Sequence, residues 1–186
     1  MIPPNCLQAV TQLALIRAQE TYLPPEALIL LTNEAGKRLA KELGANANVV
    51  LLGTCLMDYM LAQAVSEGKR KEHIAMAEAE ATRILGQYPE ISPEEKDEVL
   101  WCIREHHGVK QFHSLESEIC CNADCYKFLS VKGLLGVMLG SKRSYEETVD
   151  MIRGKVEEKW HALSLPVCKQ ELTLQYKAIK SFLSHL

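Results

Sequence analysis

Apolar residues recur at three- and four-residue spacings along nearly the whole chain, and no run of β-branched residues bounded by turn residues interrupts them. That pattern predicts an all-α fold. Two helix starts are written plainly, at Ser92-Pro93-Glu94-Glu95 and at Ser144-Tyr145-Glu146-Glu147. Each is a capping box, in which the serine oxygen accepts the backbone N–H three residues on and the glutamate returns the bond. Pro93 adds a residue suited to the first helical position. Further breaks fall at Pro24-Pro25, 44–48, Glu67-Gly68, 86–89, 108–113, 140–143 and 163–166, which divides the chain into about eight helices. The 186 residues carry no internal repeat and no linker, so 1–186 reads as one domain.

Charge and composition narrow the functional classes. Lys and Arg total 21 against 24 Asp and Glu, which provides no basic field of the kind that displaces counterions from a nucleic acid polymer. Hydrophobic residues make up 47% of the chain, yet never run for the roughly 18 consecutive positions of a membrane span. The start, Met1-Ile2-Pro3-Pro4-Asn5, lacks a basic stretch followed by an apolar one. Seven cysteines are an odd number and too sparse for a disulfide scaffold, which suits free thiols in a reducing, cytoplasmic compartment. Cys120, Cys121 and Cys125 lie close together but form no CxxC pair, and small core residues explain them better than a thiol-based metal or redox cluster.

Four polar residues fall where helical periodicity puts apolar ones. Asp58 shares a stripe with Leu51, Thr54, Leu61, Ala62 and Val65. His73 shares one with Ala77 and Ile84, His106 with Val99, Cys102 and Ile103, and Asp124 with Cys120, Cys121, Phe128 and Val131. Any one of these fits a hydrogen-bonded core residue. Four together, of the types that bind divalent ions, point to a shared site, because a buried carboxylate needs a partner or a metal.

The order of these residues carries a resemblance. Leu51-Leu52 through Met57-Asp58, then His73 with Ala77 and Ile84-Leu85, then Ile103-Arg104-Glu105-His106-His107, then Ser114-Leu115-Glu116 through Ala123-Asp124, is similar to the motif series of the HD superfamily of metal-dependent phosphohydrolases. The likeness covers about 24–131, leaving C-terminal helices 132–186 without a motif. Two departures stand out. No histidine precedes His73, so the family's first ligand is replaced at about Leu28 or Thr32, and Met57 stands where the His of the His-Asp doublet belongs.

The resemblance implies a metal held by Asp58, His73 and His106, with Asp124 completing the shell and Asp58 orienting a water. The ion would be Mn, Fe, Mg, Co or Ni. His107 and Lys127 are possible additions, although consecutive residues of an intact helix point about 100° apart and cannot both aim at one ion. Lys69, Arg70, Lys71 and Lys127 could attract phosphate. The implied activity is hydrolysis of a nucleotide or other small phosphate ester. The alternative is a catalytically degenerate HD domain that serves as a ligand-binding or protein-interaction module.

Overall fold

Side-chain caps open five of the ten α-helices in the computed structural model, which describes residues 1–186. Ser92 and Ser144 form the two expected capping boxes, and Ser114 with Ser117 forms a third. The chain is helical throughout and contains no strand. In order it forms α1 (Pro4–Thr21), α2 (Glu26–Leu43), α3 (Ala47–Leu56), α4 (Leu61–Ser66), a single 3-10 turn (Arg70–Glu72), α5 (His73–Leu85) and α6 (Pro93–Glu105). The second half adds α7 (Leu115–Leu129), α8 (Val131–Gly140), α9 (Tyr145–Ala162) and α10 (Pro166–Leu183).

Two helices more than the eight of the sequence pattern arise from breaks that carry neither Gly nor Pro. After α3 the backbone tightens: the Tyr59 N–H reaches the Leu56 carbonyl and the Leu61 N–H reaches the Asp58 carbonyl, each three residues back. Arg17 Nε of α1 donates to the Tyr59 carbonyl at 2.7 Å, satisfying a group that the break frees. Between α7 and α8, Ser130 is extended, and its hydroxyl donates to the Tyr126 carbonyl while accepting the Gly133 N–H. One serine thus ends one helix and caps the next. By composition the stretch Ala47–Ser66 is long and apolar enough to cross a membrane. In the fold it is broken after Leu56 and half buried as core.

The core is one cluster of 41 buried apolar residues, and α7 runs through its centre against α2, α3, α6, α8, α9 and α10. Eleven of its fifteen residues are buried, as a helix enclosed on all sides requires. Gly53 lets α3 come close: a Cβ there would sit 2.6 Å from Cys102 Cβ and 2.8 Å from Cys120 Sγ. All seven cysteines are buried and unbridged. The central position of α7 presents Asp124 and Lys127, one turn apart, to a site built from α3, α5, α6 and α9.

Candidate metal centre

Asp58 and the three histidines are each placed by the end of an element rather than by its middle. Asp58 lies on the tight turn after α3, and His73 opens α5 directly after the 3-10 turn. His106 and His107 follow the last residue of α6, and Gly108 reverses the chain at φ 95°. The His106 and His107 rings lie side by side at this helix end, their centroids 4.2 Å apart. One ring nitrogen from each of His73, His106 and His107 lies within 4.8 Å of the other two, so the three form a group that could hold a metal ion.

Hydrogen bonds fix which nitrogen of each ring carries the proton. His73 Nδ1 lies 2.8 Å from the Arg70 carbonyl and His106 Nδ1 lies 2.7 Å from the Ile103 carbonyl. A carbonyl only accepts, so both Nδ1 atoms are protonated, and in the neutral rings Nε2 carries the lone pair that can ligate. His106 is fully buried and its Nε2 has no hydrogen-bond partner. Asp58 Oδ1 is 3.7 Å from that nitrogen and 3.9 Å from His73 Nε2. Ligands about 2.1 Å from a tetrahedral ion stand roughly 3.4 Å from one another, so these separations are within a few tenths of an ångström of that spacing. Two imidazoles, one of them with an orphaned buried nitrogen, and a carboxylate oxygen fit a borderline divalent ion.

The other oxygen of Asp58 serves a lysine. Lys127 Nζ lies 2.6 Å from Asp58 Oδ2 and 2.7 Å from Asp124 Oδ1, and Lys159 Nζ lies 2.6 Å from Asp124 Oδ2. Asp124 is therefore held between two ammonium groups and does not join the histidines. Burial works to raise the pKa of both carboxylates, but the Lys127 charge outweighs it, with help from His106 at Asp58 and Lys159 at Asp124, and both are held below the ordinary range. Burial works to lower the Lys127 and Lys159 pKa values, and the facing carboxylates raise them above the ordinary lysine value. Burial is also the main cause that depresses the His73 pKa, and it pushes His107 down to about 2, assisted by His106 and Lys159.

A cleft of about 800 Å³ opens over this centre. Leu28, Leu61, Phe128, Val137 and Met151 form an apolar wall. Lys155 is matched by Glu158, whereas Arg70, Lys71, Lys142 and Arg143 at the mouth have no carboxylate partner. Lys142 Nζ instead sits 4.0 Å over the Tyr22 ring.

Neither a family model nor a curated protein matches this chain. A structural-genomics crystal structure of a protein from Lactobacillus plantarum is similar in fold, with a TM-score of 0.74 at 16% identity, covering 100% of this chain and 96% of that one. At that identity the likeness concerns the fold alone.

Of the residues singled out by sequence, Asp58, His73, His106 and His107 converge, and Asp124 and Lys127 form the adjoining ion cluster. Lys127 is spent on two carboxylates. Lys69 pairs with Glu67 on the surface, and Arg70 and Lys71 face the cleft. Of the two positions at which the resemblance puts a missing first histidine, Leu28 lines the cleft and Thr32 is fully buried, and Met57 is wholly buried in the core. Lys159 escaped the sequence reading, although it falls three and seven residues after Val156 and Ile152 on a buried stripe of α9. No cysteine belongs to the group formed by His73, His106 and His107.

Proposed function

We propose that this chain is an HD-like, metal-dependent hydrolase acting on a small phosphate ester, a nucleotide being one such. The observation that carries the reading is the convergence of Asp58 Oδ1, His73 Nε2 and the orphaned His106 Nε2 beneath a cleft with four unpaired cations at its mouth. Asp58, His73 and His106 would hold the ion, which when bound supplies a polarised phosphoryl oxygen and a water of lowered pKa. Lys127 keeps Asp58 ionised and fixes its orientation. Arg70, Lys71, Lys142 and Arg143 draw in the phosphate, and the apolar wall seats the remainder of the ester and excludes water.

Metal analysis of untagged protein, joined to a phosphatase substrate screen, tests this. About one transition-metal ion per chain and hydrolysis that both disappear in Asp58→Ala are expected. Metal retained by Asp58→Ala refutes the ligand assignment. One observation favours a second reading, that of a ligand-binding module without catalysis: the Lys127 ammonium already pairs with both the Asp58 and the Asp124 carboxylates, as a cation at that place would. A metal-free protein that binds phosphate esters without turning them over identifies that case.

A further inference from the structure

His107 belongs to the histidine group by distance, but its surroundings differ from those of its two neighbours. A metal-ligating imidazole donates its second N–H to an acceptor, usually a carbonyl or a carboxylate, which leaves the other lone pair for the ion. His73 and His106 follow that pattern, with Nδ1–H directed to the Arg70 and Ile103 carbonyls. His107 Nδ1 instead lies 3.0 Å from Lys159 Nζ. An ammonium has three donors and no acceptor, so Nδ1 must accept and the proton must reside on Nε2. That Nε2 points at His73 Nε2, 3.2 Å away, whose lone pair accepts it. The three links form one consistent chain from Lys159 through His107 and His73 to the Arg70 carbonyl.

Lys159 cannot readily turn away. It is 1% exposed, and its ammonium is anchored 2.6 Å from Asp124 Oδ2, which is itself held by Lys127. The carboxylate that could take an Nδ1–H from His107 is Glu158, at 3.7 Å, and both Glu158 oxygens lie 2.7 Å from Lys155 Nζ.

We propose that His107 is the hydrogen-bond donor of this site and not one of its metal ligands, locked by Lys159 with its proton on Nε2, from which it can donate to a phosphoryl or other anionic oxygen in the cleft that it lines. The proposal rests on the metal reading above, and it assigns Lys159 as the positioning residue that sets the tautomer. A fixed neutral donor of this kind stabilises developing negative charge without needing to reorganise. In the ion-free protein the donor is parked on the lone pair of His73.

Long-range ¹H–¹⁵N correlation spectra of the labelled protein, with His107→Gln to assign the ring, test the tautomer directly. In the wild type His107 should carry its proton on Nε2, opposite to His73 and His106. Added zinc should move the Nε2 signals of His73 and His106 and leave His107 protonated there, and inorganic phosphate should then shift the His107 N–H. Lys159→Met should free the ring to take the other tautomer and join the ligands, tightening zinc binding by about tenfold. If that variant does not fold, the wild-type spectra decide alone. An Nδ1–H tautomer in the wild type, or a His107 nitrogen that moves with zinc as its neighbours do, overturns the proposal. Zinc that moves none of the three rings, with His107 still carrying its Nε2 proton, sinks the metal reading and leaves the locked donor standing.

Discussion

Lys127 shows how one residue can hold a buried polar site together. Its ammonium is the shared partner of two carboxylates, and removing one member of such a cluster leaves charge buried without compensation. Lys127→Met should therefore lower stability by about 3–5 kcal/mol in urea unfolding, and Asp58→Asn added to it should recover part of the loss. Additive effects in that double-mutant cycle would mean that the two side chains do not interact. The pH dependence separates this cluster from the histidines. Asp58 and Asp124 have depressed pKa values, so their contribution is complete above the ordinary aspartate value near 4 and fades as pH falls below it. Lys127 and Lys159 have raised values, so theirs is complete below about 10 and fades as pH rises past it. Between those limits the cluster is silent. His73 and His107 are also depressed, from an ordinary value near 6.5, so the unfolded chain takes up protons first and stability declines as pH falls through 6.5. The thermal midpoint should drop between pH 7 and pH 5, and His107→Gln should make that drop shallower.

At the scale of elements, what the sequence disclosed was local. The starts of α6 and α9 were readable because capping boxes are written within four residues. The inward placement of Asp58, His73, His106 and Asp124 was readable from their apolar neighbours. The breaks after Leu56 and at Ser130 were not, because they depend on partners distant in sequence or on a serine that suits helix ends and helix middles alike. The approach of the His107 ring to His73 and His106 was not readable for the same reason: it follows from where α6 stops, at the turn that Gly108 completes. At φ 95° a side chain is strained, and a Cβ on Gly108 would also lie 3.2 Å from Ala162 Cβ of α9. Gly108→Ala should cost about 1–2 kcal/mol. It should also displace His107, which would show as a changed His107 ring signal even at temperatures where the variant remains folded. A stability loss with an unchanged ring signal would mean that Gly108 serves the fold and not the site.

Across the whole molecule, the charge distribution adds something that no single residue shows. The chain carries a net charge of −3, yet Arg70, Lys71, Lys142 and Arg143 gather unpaired at the mouth of one cleft while the acids within it are neutralised. The 3-10 turn before α5 supplies the first two, and the loop between α8 and α9 supplies the others, so the cleft must be flanked by both segments for the field to exist. Such a field attracts small anions. Inorganic pyrophosphate should therefore raise the thermal midpoint, by an increment equivalent to about 2.7 kcal/mol when its concentration is 100 times its dissociation constant. Because these four side chains are exposed, the increment should shrink as ionic strength increases. Arg70→Glu combined with Arg143→Glu should abolish it while leaving the midpoint without pyrophosphate nearly unchanged, since neither arginine holds the fold together through an ion pair. A pyrophosphate effect that survives both substitutions would place the anion site elsewhere on the molecule.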